Sequence, residues 1–454
     1  MIHFLPGPFW VRVKIWYFYK GNMKYIENDI VRKIKGSYEN QRSRTDTDDY
    51  VNPEYIQTQF ESLSSLLFEV TEGCNIECEY CGYGRNYVSS KYRPHDRGLP
   101  MTWDIAKITL DYFIPRWNKK LSGSNVVVSF YGGEPLTNFS LIERIAGYLD
   151  KNLRSDIKVF YSLTTNGLLL YKFIDFLVRY DFIINVSLDG NRYADSFRKT
   201  KSGKETHGLI ERILDKVKTE YPEYFVNKLF FQSVINSRSS VLDVNRYFYD
   251  RYQKGTLSFQ VANDGLAPDN NLGLFFRDMN QDLISAFNTN REECEKYKLQ
   301  DPIKEAVKTE IGINSPSLVR SLDSLSLAQN YNKKTSSSGI CLGVGEKLFI
   351  LAAGYLFQCE KTKMDNPLGR IADGKIDIDF AQISSQYNSI FAHHELQCKK
   401  CIYRDSCRYC FMTNNNYASP DSRCGGFVPI TRERIKESLR FLGRHRKLIA
   451  EITK

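Results

Sequence analysis

Three cysteines stand close together in the stretch Thr71-Glu72-Gly73-Cys74-Asn75-Ile76-Glu77-Cys78-Glu79-Tyr80-Cys81. The spacing is Cys-x3-Cys-x2-Cys. Three thiolates on one loop can bind three irons of a [4Fe–4S] cube. The fourth iron then has no protein ligand and stays open to a small molecule, which is the condition for inner-sphere chemistry at a cluster. The competing reading is a zinc site short of one ligand. Zinc sites pair a Cys-x2-Cys unit with a second pair of ligands, and the next cysteine along this chain is Cys294.

Seven further cysteines lie together: Cys341, Cys359, Cys398, Cys401, Cys407, Cys410 and Cys424. From 398 to 410 their spacing is Cys-x2-Cys-x5-Cys-x2-Cys. Paired units of this kind are a zinc-ribbon signal on their own. The surrounding region has short apolar runs only, which suits a segment held by metal. Cys294, in Glu-Glu-Cys-Glu-Lys on a helix-like stretch, reads as a bystander.

These clusters need a frame, and the chain supplies one from Ser65 onward. Apolar strand-like runs occur at 66–70, 126–130, 157–163, 183–188, 229–235 and 257–261. Helix-like segments at 103–117, 141–153, 171–180, 209–219 and 240–252 fall between them. Six strands alternating with helices imply a parallel α/β sheet, open or curled into a partial barrel. Active groups then sit at the C-terminal ends of the strands. The first cysteine loop follows the first strand. Tyr131-Gly132-Gly133-Glu134-Pro135-Leu136 follows the second, Thr164-Thr165-Asn166-Gly167 ends the third, and Ser187-Leu188-Asp189-Gly190 ends the fourth.

At these residues the chain resembles the radical S-adenosylmethionine (SAM) superfamily, over about residues 62–265. The resemblance implies a partial (β/α)6 radical SAM barrel with a [4Fe–4S] cluster on Cys74, Cys78 and Cys81 and SAM on the open iron. Gly132, Gly133, Glu134 and Pro135 match the family's GGEP motif, which binds the amino group of the methionine moiety. Glycines let the backbone approach closely, and a carboxylate suits an ammonium group. Tyr80, Thr165, Asn166, Ser187, Asp189 and Arg198 match residues around the SAM pocket, with Ser187 toward the ribose and Arg198 toward the carboxylate. The family often has a His a few residues before this Arg, where Asp195-Ser196-Phe197 stands here. The implied chemistry is reductive cleavage of SAM to a 5′-deoxyadenosyl radical, which abstracts a hydrogen atom from substrate.

The second cysteine field resembles a SPASM domain, the auxiliary-cluster extension of radical SAM enzymes that modify peptides and proteins. It implies two auxiliary [4Fe–4S] clusters. Cys398, Cys401, Cys407 and Cys424 hold one. Cys341, Cys359 and Cys410 hold the other, with an iron left open. The gap between Cys407 and Cys410 is one residue shorter than the family's. Glu360 follows Cys359 where sulfatase-maturing relatives place an Asp base; the alternative is a surface charge beside Lys361.

The expected organisation is an N-terminal segment at 1–61, a core at 62–265, a bridge at 266–338, the SPASM-like domain at 339–430 and a helix at 431–454. Trp10–Tyr19 and Met23–Ile26 read as strands around a Gly21-Asn22 turn, and 1–61 is a candidate leader-peptide-binding module. Pro6, Pro8, Arg12 and Lys14 interrupt the N-terminus, so it does not read as a signal peptide. No apolar run reaches the roughly eighteen residues of a membrane span. The cysteine usage then points to the cytoplasm. The net charge of +10 comes without an arginine-rich tract or an aromatic RNA-binding signature, so nucleic acid is not an expected partner. The expected function is maturation of a ribosomally made precursor peptide by a side-chain crosslink, with flavodoxin or ferredoxin as electron donor. The rivals are formylglycine generation in sulfatases and a catalytically inactive, metal-stabilised peptide-binding protein.

Overall fold

The computed structural model describes the strand backbones at 15–19 and 22–26, and then residues 51–87, 89–95, 97–259, 275, 277–314, 347–362, 364–403, 424 and 427–452. Cys341, Cys407 and Cys410 lie outside them, as do the polar stretches at 37–49 and 330–339.

Strands β1 (Ile15–Tyr19) and β2 (Asn22–Ile26) form an antiparallel hairpin. Of the strand expected at Trp10–Tyr19, 15–19 are described, and 10–14 lie outside the described residues. The chain then enters a mixed sheet through β3 (Ser65–Thr71). A short strand, β4 (Ile76–Cys78), leaves this sheet. Next come β5 (Asn125–Gly132), β6 (Lys158–Thr165) and β7 (Ile183–Ser187). Strand β8 (Arg198–Thr200) pairs with β4 in a separate two-stranded sheet. Strands β9 (Leu229–Val234) and β10 (Thr256–Phe259) complete a run of six parallel strands in the order β10-β9-β7-β6-β5-β3. This is the α/β arrangement the sequence pattern predicts.

Strands β5, β6 and β7 bury one face, whereas β3 and β11 are buried on both. In β5, Val126, Val128 and Phe130 are buried on one side, while Ser129 and Tyr131 on the other are only partly covered. The period of two in the sequence is what sorts them. The buried side packs against helices Trp103–Trp117, Phe139–Asn152 and His207–Glu220 through residues such as Phe113, Trp117, Ile145 and Leu214. Trp117 also donates its indole N–H to the Leu63 carbonyl at 2.7 Å. Deleting a fully buried ring such as Phe68 costs about 3–5 kcal/mol.

The sheet does not stop at the six strands. β11 (Leu348–Ile350) adds in parallel beside β3, with Leu348 opposite Leu66. β12 (Tyr355–Phe357), β13 (Gly369–Ala372) and β14 (Lys375–Ile378) then continue as an antiparallel meander. Leu348, Ile350 and Leu356 enter the same core as the barrel strands. The following helix, Phe380–Cys398, returns to the start of the core. There Ser384 donates to the Val51 carbonyl at 2.7 Å, and Asn388 bonds both the amide and the carbonyl of Val51. The C-terminal segment forms two helices, Arg432–Arg444 and Arg446–Ile452, meeting at His445.

Candidate metal centre

The cysteine loop is fixed by backbone on both sides. β4 pairs antiparallel with β8, setting Ile76 opposite Thr200, Glu77 opposite Lys199 and Cys78 opposite Arg198. The Glu79 amide continues the ladder to the Phe197 carbonyl at 3.0 Å. On the other side, the Gly133 amide donates to Thr71 O at 2.8 Å and the Glu134 amide to Gly73 O at 2.9 Å. Glycine is required there. Gly132 has φ +141°, and a Cβ on it would stand 2.1 Å from Thr71 O; a Cβ on Gly133 would stand 2.1 Å from Gly73 O. The glycine pair is thus the surface against which the cysteine loop is moulded.

Cys74 is flanked by two amides. Asn166 donates from Nδ2 to Asn75 Oδ1 at 2.7 Å and lies 3.8 Å from Cys74 Sγ. Burial pushes the Cys74 thiol up to about 11 and that of Cys78 up further, with the Arg198 charge opposing the shift at Cys78. Buried thiols held protonated must release protons when metal binds. Among the described residues, no three Cys, His, Asp or Glu side chains converge as ligands of a single ion would. A cube spreads three thiolates over three irons, so this site needs no such convergence. Cys74, Cys78 and Cys81 are near enough to act electrostatically on one another, and the donor set fits a cube with one iron left open.

Glu134 is fully buried. Its carboxylate accepts from Thr165 Oγ1 and the Asn166 amide, both at 2.7 Å, and from the Leu136 amide at 3.1 Å. Of roughly four acceptor positions on a carboxylate, three are used within the protein and one remains. Burial raises its pKa despite these bonds. Pro135 opens the short helical turn Pro135–Asn138 that Glu134 caps.

Tyr80, Asp189 and Arg198 form a buried group. The Tyr80 hydroxyl donates to Asp189 and accepts from Arg198 Nη1 at 3.2 Å. Asp189 also accepts from the Val234 amide at 3.0 Å. Asp195, which the sequence marks only as a departure, joins them: its Oδ1 accepts from the Asp189 amide at 3.0 Å and lies 3.6 Å from Arg198 Nε. The place where relatives carry a His is therefore spanned by a buried carboxylate. Among the described residues, Asp195 Oδ2 and Arg198 Nε have no hydrogen-bond partner although both are buried. Ser187 closes β7 on the same edge. Asn75 and Asp195 are participants that sequence reasoning missed. The signal for each was position alone: one beside a cluster cysteine, the other three residues before Arg198.

Glu360 is not a solvated charge beside Lys361. Its side chain is 17% exposed and ion-paired to Lys347 Nζ at 2.6 Å, and it accepts from the Cys359 thiol at 3.3 Å. Burial works against its ionisation, but Lys347 overcomes this and the pKa is lowered. It also acts on Tyr131, beside the glycine pair, and on Tyr83, just after Cys81. A second buried pair ties the same regions together. Glu69 of β3 accepts from Arg93 Nε, and from the Ala352 amide at 3.1 Å. The Arg93 guanidinium lies 3.6 Å from the Tyr83 ring centre.

In the second field, Cys398 ends its helix and the Cys401 amide bonds back to its carbonyl at 3.1 Å. The Cys424 amide donates to Gln397 Oε1 at 3.0 Å, and Cys401 bridges Pro429. Three of the four cysteines expected around one auxiliary cluster thus belong to adjoining backbone segments. Cys294 is buried in an apolar cluster with Phe287 and Tyr297.

Residues 68–229 match the family model of the radical SAM superfamily. The chain is 29% identical over 233 residues to the radical SAM cyclopropyl synthase TigE of Paramaledivibacter caminithermalis, covering 49% of this chain and 45% of that protein. It is 26% identical over 192 residues to a cysteine-type anaerobic sulfatase-maturating enzyme of Clostridium perfringens, covering 42% and 49%. The chain thus spans about half the length of the curated relatives it matches. The solved structure of native anSMEcpe with bound AdoMet superposes with a TM-score of 0.55 at 20% identity, covering 86% of this chain and 99% of the other. That likeness concerns the fold. Among the described residues no helix is long and apolar enough to cross a membrane. The family match and the cysteine loop at the strand ends together make residues 68–229 a radical SAM domain, whose parallel sheet continues through β9 and β10.

Proposed function

We propose that this chain is a radical SAM peptide maturase that installs a side-chain crosslink in a ribosomally synthesised precursor peptide. The observation that carries this reading is the cysteine loop locked between the glycine pair and β8, with Glu134, Asn166 and Arg198 around it. Cys74, Cys78 and Cys81 would hold the cluster. Glu134, Tyr80, Thr165, Asn166, Ser187, Asp189 and Arg198 would line the SAM pocket. When bound, the reduced cluster and SAM supply the hydrogen-abstracting radical. The chain's own residues fix the reactants. Asn166 and Asn75 hold the Cys74 end of the loop, the β4–β8 ladder holds Cys78, and the remaining acceptor position of Glu134 is available to an ammonium.

The inner face of the sheet bears Ser129, Ser162, Thr164, Asn185 and Gln232, all partly covered. These are neutral hydrogen-bonding groups, suited to peptide backbone. The second cysteine field would hold auxiliary clusters that accept the electron released when a crosslink forms, and flavodoxin or ferredoxin would reduce the first. The names of the relatives support a peptide or protein substrate without distinguishing the product. Formylglycine generation remains the second reading, favoured by the fold likeness and by a carboxylate directly after Cys359.

The deciding experiment is anaerobic co-expression with the peptide encoded beside the chain, followed by mass spectrometry. The expected result is loss of two hydrogens per bond formed and a linked pair of fragments. Conversion of a cysteine or serine to an aldehyde in a sulfatase-type sequence would replace this reading with the second. Absence of 5′-deoxyadenosine from reconstituted protein given dithionite and SAM would overturn both.

A further inference from the structure

Cys78 and Arg198 face each other across the β4–β8 ladder. The ladder sets the separation of their backbones and puts both side chains on one face of the strand pair. The guanidinium is buried. Around it stand Tyr80, whose hydroxyl accepts from Arg198 Nη1 at 3.2 Å, and the carboxylates of Asp189 and Asp195. Those neighbours are already engaged. Asp189 accepts from the Tyr80 hydroxyl and the Val234 amide, and Asp195 accepts from the Asp189 amide. Arg198 Nε lies 3.6 Å from Asp195 with no hydrogen bond. The next residue, Lys199, pairs with Glu79 at 2.5 Å and is half-exposed. Arg198 is thus a buried cation seated directly across from one cysteine of the triad.

We propose that Arg198 is a positioning residue for the cluster: its charge, held opposite Cys78, raises the reduction potential of the centre carried by Cys74, Cys78 and Cys81. This rests on the cluster reading above and gives Arg198 a role that needs no SAM. Reduction adds one negative charge to the cluster, and a nearby cation in a poorly solvated site favours that state. The net charge and hydrogen bonding around a centre are the levers a protein has on its potential.

The test uses the full chain, reconstituted anaerobically without SAM, in wild-type, Arg198→Lys, Arg198→Gln and Arg198→Met forms. Iron content is measured first. Wild-type chain that binds no iron at the triad sinks the cluster reading, whatever Arg198 does. The triad signal is identified as the one lost in Cys78→Ala, and its reduction is titrated by electron paramagnetic resonance. The neutral variants are expected to shift the reduction equilibrium toward the oxidised form by about tenfold or more, which is about 59 mV per decade for one electron. Arg198→Lys is expected to shift it by less than half as much on the same scale. Equal shifts in Lys and neutral variants, or no shift in either neutral variant, overturn the inference. If only chains with Arg or Lys at 198 retain triad iron, a positive charge is required there and the inference stands. If Arg198→Lys also loses triad iron, shape and not charge is what matters, and the inference fails.

Discussion

The two cysteine fields differ in how the fold holds them. The first sits on a loop with a strand ladder on one side and a glycine pair on the other, at the ends of parallel strands. Of the second, Cys359 follows β12, Cys398 ends a helix, and Cys401 and Cys424 lie on the turn and the segment beyond it. The first is shaped by the sheet before any metal arrives. In the second, Cys398, Cys401 and Cys424 are joined by a few turn hydrogen bonds. Metal bound there would contribute more to the folding of its own segment. This contrast gives each field a different failure when it is damaged.

The sharpest division comes from one cysteine of each field. Cys78→Ala is expected to abolish 5′-deoxyadenosine formation while leaving the fold intact, since the ladder is made by backbone. Cys398→Ala is expected to leave SAM cleavage in place and remove the crosslinked product, with a fall in iron content and a lower melting temperature. Equal loss of SAM cleavage in both variants would show that the two fields act as one unit. Replacing Cys410 with Ala should lower the iron count through the second auxiliary centre; an unchanged count would withdraw it as a ligand.

Next in size is the buried pair that links the two regions. Glu69 accepts from both Arg93 and the Ala352 amide. Removing one partner of a buried pair leaves an uncompensated charge and costs about 3–5 kcal/mol. Arg93→Met is therefore expected to lower the unfolding free energy by that amount, read as a lower urea midpoint at unchanged slope. A cost under about 1 kcal/mol, the range of exposed pairs, would show that the link between β3, the post-triad loop and β11 is incidental.

Gly133→Ala tests the mould itself. A Cβ 2.1 Å from Gly73 O forces the motif loop off the cysteine loop. The expected result is folded protein whose affinity for SAM falls at least tenfold, about 1.4 kcal/mol. Gly147, which has open space around its Cβ position, is the control: Gly147→Ala should leave SAM affinity unchanged.

The sequence made the first field legible because strand, loop and motif all repeat on one plan. The apolar runs from Leu66 to Val261 mark the strands, and the polar and glycine residues that break each run mark the active ends. Helix Trp103–Trp117 appears with the limits its pattern suggests. What escaped were interactions between segments distant in sequence. Glu69 lies inside an apolar strand run, where a carboxylate reads as a surface position until Arg93 and Ala352 are seen against it. The joining of Leu348–Ile350 to β3 was equally hidden, because three apolar residues fit any buried segment. Asp195 looked like a missing histidine, and only its bond to the Asp189 amide shows it as part of the buried Tyr80–Asp189–Arg198 group.

The smallest expected effect falls on Glu360, where the two fields meet. Its carboxylate is engaged by Lys347 Nζ at 2.6 Å and by the Cys359 thiol, and the Lys347 charge keeps it ionised against its burial. A carboxylate committed in this way is a poor proton acceptor, because taking a proton would break the ion pair. Glu360→Gln keeps the shape and removes the charge. SAM cleavage should be unchanged and crosslinked product should fall by less than tenfold, with Lys347→Met giving a similar loss. A general base is worth about 10²–10⁴-fold. A loss of that size in Glu360→Gln, with SAM cleavage intact and Lys347→Met nearly normal, would make Glu360 the base that takes the substrate's proton and would move the chemistry of the second field toward the sulfatase-type reaction.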